Sequence, residues 1–184
     1  MPFGGTIRSG LLKHRVIIQS VSESFATASG ESTDTWSTEA TVSAQWQPAA
    51  ARESEEMRQV APDITHTITM RHRNMSGERR LLLKKEHTTL NGAINDSVTS
   101  VVVDASFGIS TSTLYRILIG SEIMQVTAGA DGLTWTATRG IDGTSAASHA
   151  DEDVVTHLAV LDIQGIINID EADKQIVIGC VEKP

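Results

Sequence analysis

The chain has 184 residues, enough to bury a core in one or two domains, a formal net charge of -8 and only 4% aromatic residues. Scarce aromatics beside plentiful Val, Ile, Leu and Thr favour thin β-structure over a large enzyme core, and the single Cys180 excludes an internal disulfide framework or a cysteine-based zinc site. No apolar run approaches the roughly 20 residues of a membrane span, and Met1 is not followed by a basic stretch and an apolar signal core, so a soluble, unsecreted protein is expected.

Met1 to Gly10 is Gly-rich and reads as an arm that needs a partner for order. Val16 to Gln19 is a short apolar run beside Lys13, His14 and Arg15, and reads as the first strand. Ser20 to Thr35, rich in Ser, Thr, Gly and Glu and without a period, predicts a loop or a long hairpin tip. Thr41 to Gln47 alternates, which puts Val42, Ala44 and Trp46 on one face of a second strand and makes Trp46 a candidate core anchor. Pro48 to Pro62 breaks the pattern: Ala- and Glu-rich sequence between two prolines predicts a short helix. Alternation returns at Ile64, with Ile64, His66, Ile68, Met70 and His72 on one face and Thr65, Thr67, Thr69, Arg71 and Arg73 on the other, as in an antiparallel sheet with one wet face. Asn74 to Gly77 is a turn, and Arg79 to Lys84 the next strand.

Glu86 to Thr156 has its own internal logic. Val98 to Val103 and Leu114 to Ile119 read as strands, Gly120-Ser121 as a turn, Glu122 to Thr127 as its hairpin partner, and Leu133 to Thr138 as a strand closing after Asp131-Gly132. Beyond it, Leu158, Val160 and Ile163 to Ile169 supply strands, Asp170 to Asp173 a turn, and Gln175 to Val181 a final alternating strand. From Lys85 to His157 three basic side chains face nine acidic ones, a net of -6, which leaves -2 for the rest of the chain. An acidic block joined to a nearly neutral one does not suit sequence-specific duplex binding, which needs a basic face.

Three pieces, read in order, resemble one family. They are Arg8-Ser9-Gly10-Leu11-Leu12-Lys13-His14-Arg15-Val16-Ile17-Ile18-Gln19; Trp46 to Pro48 with Arg52-Glu53 and Thr65-His66-Thr67-Ile68-Thr69-Met70-Arg71; and Asp162-Ile163-Gln164-Gly165-Ile166 with Lys174 to Glu182. Together they resemble the head-closure (head-tail adaptor or stopper) proteins of tailed bacteriophages. The resemblance implies an all-β fold with at most one short helix: a small β-barrel or sandwich formed by residues 1–84 and 158–184, interrupted at a hairpin by an inserted β-module, 85–157. Insertion there is physically reasonable because the two ends of a hairpin tip are adjacent and exposed. Within the insert, Ile119, Glu122, Met124, Val126, Thr138 to Thr144 and His149 resemble a β-module that recurs in phage tail and neck proteins, with no chemistry attached to it.

The resemblance also implies a function. It makes the protein a structural component of the virion neck, assembled in the host bacterial cytoplasm, forming a dodecameric ring between the portal or adaptor protein and the tail or tail-terminator protein. Packaged DNA passes through non-specifically, and no membrane or cofactor is involved. The segment Pro48, Ala49, Ala50, Ala51, Arg52, Glu53, Glu55, Glu56, Arg58 to Pro62 is the candidate channel gate. Small alanines can crowd an axis, the glutamates repel DNA phosphates, and Arg52 and Arg58 can pair with acids of neighbouring copies. A surface helix packed by Met57 and Val60 is the plainer reading of the same residues.

No constellation demands catalysis. His66 and His72 share a strand face, yet a metal pair would need a carboxylate from a neighbouring strand, and a half-buried sheet position is the simpler reading. Asp142 with Asp151-Glu152-Asp153 lacks the alternating spacing of a calcium loop and reads as solvated loops. Arg139-Gly140-Ile141-Asp142-Gly143 reads as a tight turn rather than an adhesion tripeptide. His149 has no nucleophile in a strained turn beside it, and no glycine-rich phosphate loop is present. The protein is therefore read as no enzyme, with no metal or cofactor site. The rivals are a tail-completion or tail-terminator ring protein, and a carbohydrate- or receptor-binding virion module. The latter needs an aromatic platform, for which the insert offers only Tyr115 and Trp135.

Overall fold

The computed structural model describes residues 9–25, 32–48, 64–75, 78–110, 114–168 and 173–183. They form a single 3-10 turn, Ser9–Leu11, and ten strands: β1 (His14–Phe25), β2 (Ser32–Pro48), β3 (His66–Arg71), β4 (Arg79–Thr89), β5 (Ser100–Val102), β6 (Tyr115–Ile119), β7 (Glu122–Ala128), β8 (Thr134–Thr138), β9 (Val154–Asn168) and β10 (Gln175–Lys183). The fold is all-β and antiparallel, as the alternating and β-branched runs predict. Strand order is β10-β3-β2-β1-β4-β9-β6-β7-β8-β5, and β9 also pairs with β10. The pairings from β10 through β3, β2, β1, β4 and β9 therefore return to β10, the closed circuit that leaves a barrel without free edges.

Two compact units divide the chain, and long strands contribute to both. The first contains the described residues within 1–20, 39–83 and 160–183. Its core is written in the register. Val16, Ile17 and Ile18 lie opposite Leu83, Leu82 and Leu81; Ala44 and Trp46 face Met70 and Ile68; and Ile176 and Ile178 flank the same two residues from the other side. Of these, all but Trp46 are buried. Directly opposed apolar side chains of this kind are the unit of sheet stabilisation.

The second unit contains the described residues within 21–38 together with 84–159. Here β9 pairs with β6, β6 with β7, β7 with β8 and β8 with β5. Gly120, with φ 58°, begins the two-residue turn that sets Ile119 opposite Glu122, the first-position glycine that a twist-matched hairpin requires. Period-two patterning then sends Ile117, Ile119, Met124 and Val126 inward against Trp135 and Val155.

Several expectations shift. Of the two readings of Ser20 to Thr35, the described part follows the long hairpin tip and not the loop: β1 continues to Phe25 and β2, its neighbour in the sheet, begins at Ser32. Ser and Thr tolerate extended geometry wherever a strand has neighbours to pair with, so a lost hydrophobic period did not mean a lost strand. Likewise β4 runs on to Thr89 and β9 starts at Val154. At the Asp131-Gly132 corner the left-handed residue is Gly129, φ 78°, whose carbonyl accepts a hydrogen bond from the Gly132 amide at 3.0 Å. The loop is thus longer than the two-residue Asp-Gly turn its sequence suggests. Pro48 is the last residue of β2; the rest of the predicted 48–62 helix lies outside the described residues.

Candidate functional site

The strands on either side of the proposed gate are neighbours. β2 and β3 pair antiparallel, and their last matched residues are Pro48 and His66, so the chain between them leaves and re-enters the sheet at one place. Pro48 is exposed, while Ala49, Ala50, Ala51, Arg52, Glu53, Glu55, Glu56, Arg58 and Pro62 lie outside the described residues. Directly beneath sits Trp46. Its indole is stacked on the His66 imidazole, ring centroids 5.3 Å apart, and meets His14 edge-on at 5.7 Å. Thr65 secures the re-entry: its amide donates to the Cys180 carbonyl at 3.0 Å, and its hydroxyl accepts from the Glu182 amide at 3.2 Å.

Trp46 is half-buried rather than the core anchor its strand face suggests. At the end of β2 the apolar partners give way to imidazoles, and its Nε1, though shielded from water, has no hydrogen-bond partner. Trp46→Ala should therefore cost about 2 kcal/mol, below the roughly 3 to 5 of a fully buried indole. Trp46→Phe keeps a ring between the imidazoles and removes the unpaired N–H, so it should cost less than half of that. Urea denaturation of the three proteins checks the order; equal losses would mean that the ring contacts contribute nothing.

The two histidines singled out on β3 and just after it do not converge. His66 approaches Glu182 at 3.9 Å, whereas His72 pairs with Asp173 at 3.2 Å. Among the described residues no group of three His, Cys, Asp or Glu side chains is placed to hold a metal ion, and no helix is long and apolar enough to cross a membrane.

The second unit gives its sequence motif a purpose, which sequence reasoning missed. Glu122 is fully buried at the start of β7. Its carboxylate accepts two hydrogen bonds from Arg139, at 2.7 and 2.8 Å, and others from the amides of Gly140 and Ala147 at 3.0 and 2.9 Å, with His149 Nε2 at 2.9 Å. Burial pushes the carboxyl upward, but the hydrogen bonds from Arg139, Ala147 and His149 together with the Arg139 charge outweigh it and hold the group down at about 2. Arg139 also donates to the carbonyls of Asn95, Val98 and Ala147. One buried ion cluster therefore pins two loops, one between β4 and β5 and one between β8 and β9, to the start of β7.

The other motif residues complete this clamp. Asp142 pairs with Arg116 at 2.7 Å. The Thr144 hydroxyl donates to the Ile141 carbonyl at 2.7 Å and accepts from the Ile123 amide at 3.0 Å. Gly140 and Gly143 have φ of 61° and 76°, and a Cβ at Gly143 would stand 2.9 Å from the Trp36 carbonyl oxygen, so both conformation and space demand glycine. Arg139 is thus interior, not the exposed start of an adhesion tripeptide, and His149 serves the same cluster. Asp151 and Asp153 accept from the amides of Gly92 and Ala150, at 2.6 and 2.9 Å. Tyr115 and Trp135 form no platform: they are 5% and 0% exposed and pack on each other at 5.9 Å.

Comparison with known families bears on the first half of the chain. Residues 7–91 match the family model of phage head completion proteins, a stretch containing β1 to β4 and the strands that flank the 48–62 segment. No curated protein matches the chain. The C-terminal pieces of the resemblance, Asp162 to Ile166 and Lys174 to Glu182, fall outside the matched stretch, but β10 pairs directly with β3 within it. Over residues 7–91, somewhat less than half of its length, the chain is therefore similar to phage head completion proteins.

Proposed function

We propose that this protein is a ring subunit of the phage neck, seated between the portal or adaptor and the tail, and that its 48–62 segment gates the DNA channel. The family implies a dodecameric ring with subunits ordered by their neighbours. The observation that supports the gating role is the pairing of Pro48 with His66: the strands bordering the segment meet at a single point of the sheet, so its length can change without disturbing their register. Its composition adds three closely spaced glutamates, which repel phosphates, and three alanines small enough to crowd an axis.

Replacing residues 49–62 by a tight turn should leave neck assembly intact and let DNA leak from filled heads before tails join. Nuclease-accessible DNA in purified tailless heads is the readout. Heads that retain their DNA with the shortened segment would reduce the protein to a passive spacer. If it is instead a tail-terminator, it will purify with headless tails and be absent from filled, tailless heads.

A further inference from the structure

The first unit carries a basic cleft that none of the foregoing uses. It encloses about 390 Å³ between β1, β2 and the end of β3 and is lined by Arg15, Val42, Met70, Arg71, His72 and Arg73 among others. Three arginines thus line one depression. Arg15 donates to the Ser43 hydroxyl at 3.0 Å and Arg71 to the Ser9 hydroxyl at 3.2 Å, but among the described residues no carboxylate lies within ion-pair distance of Arg15, Arg71 or Arg73. Two acids stand at the margin: Asp173 pairs with His72 of the cleft at 3.2 Å, and Glu39 pairs with Arg79 at 2.8 Å while also feeling the Arg73 charge. Met70 is 1% exposed and Val42 half-buried, and such apolar surroundings strengthen any ion pair formed over them.

Glu39 lies near enough for the Arg73 charge to act on it, while Arg15 and Arg71 are exposed, so the cleft attracts an anion in a protein whose net charge is otherwise -8. The shape selects its source. A DNA duplex is a convex rod that cannot enter a depression of this volume, whereas a few side chains on a turn can fill one. Planar guanidiniums also match carboxylates two bonds at a time. The same chain presents such a turn in its second unit, Asp151-Glu152-Asp153. Asp151 and Asp153 are held by the Gly92 and Ala150 amides, and Glu152, exposed with φ 65°, stands at the tip. Each carboxylate that accepts one amide keeps lone pairs for a partner, and the turn is already ordered, so little entropy is lost on docking.

We propose that the Arg15, Arg71 and Arg73 cleft of one copy receives the Asp151-Glu152-Asp153 turn of a second copy. A cleft on one surface and its complement on another make a heterologous, head-to-tail contact, the kind that closes into rings. The proposal rests on the ring reading and supplies it with a specific interface.

Two full-length charge reversals test it, Arg71→Glu with Arg73→Glu, and Asp151→Arg with Glu152→Arg. Each alone sets like charge against like, so self-association by sedimentation velocity should weaken about tenfold or more. A 1:1 mixture should assemble again in alternating copies, a rescue that misfolded variants cannot give. The interface is overturned if either variant assembles as the wild type does, or if the mixture stays dissociated. Titration with inorganic phosphate and with duplex DNA gives a further check. Phosphate or DNA binding that the arginine reversal abolishes while assembly is unchanged would make the cleft an anion site unrelated to subunit contact. A wild-type protein that is monomeric in solution and in isolated necks would instead sink the ring reading itself.

Discussion

Glu122→Ala should destabilise the second unit by about 3 to 5 kcal/mol, the cost of leaving a buried cation without its counter-charge. Arg139 is then stranded among the carbonyls of Asn95, Val98 and Ala147, and the Gly140 and Ala147 amides lose their acceptor. The pH dependence follows from the same geometry. Because the folded carboxyl sits at about 2, below its ordinary 4.5, its contribution is fully present above about 4.5 and is lost as pH falls toward 2. Glu122→Gln should therefore lower stability at neutral pH and flatten the acid limb of the stability profile. Hydrogen exchange of the second unit's amides, run between pH 2 and 7, separates this from unfolding of the first unit. The double variant Glu122→Leu with Arg139→Met, which removes both charges, should cost less than the sum of the two single changes. Strict additivity would mean that the 2.7 and 2.8 Å contacts carry no coupling.

What the sequence showed, and what it hid, depended on the range of the interactions. Alternation exposed β3 and the β6–β7 hairpin because a strand with one wet face repeats every two residues. The β4 extension to Thr89 and the arms flanking 26–31 were hidden because most of their described side chains are polar and exposed, so no period marks them. The Glu122, Arg139 and His149 cluster was visible as a pattern, yet its meaning was not, since residues 17 and 27 positions apart reveal a shared carboxylate only once the loops are folded. Trp46 illustrates the opposite error. Its strand face was read correctly, but burial depends on what the neighbouring strands offer, and β1 and β3 offer His14 and His66 there. The gate candidates rest on position in the family pattern, which local physics does not encode.

We also propose that the two units are separable, and the structure refines where to cut. Glu86 and His157 approach to 2.9 Å, so a two-residue Asn-Gly turn can bridge the ends left by removing 85–157. Removal of that block alone should not suffice, because residues 21–38 cluster with it: the Trp36 carbonyl and Ser37 lie close against Gly143. With the block gone, these arms of β1 and β2 lose their packing and should become the first sites of proteolysis. Shortening them as well, by joining Ser20 to Glu39 through a tight turn, should yield a protease-resistant β-protein with a single cooperative unfolding transition. The reason is that the remaining strands keep the β1–β4, β2–β3 and β3–β10 registers that bury Val16, Ile18, Ile68 and Ile178. If both deletion proteins lack a cooperative transition, the units share one core and the insert is part of the barrel's own folding nucleus. If the simple excision proves as resistant as the trimmed one, the 21–38 arms belong with the barrel after all.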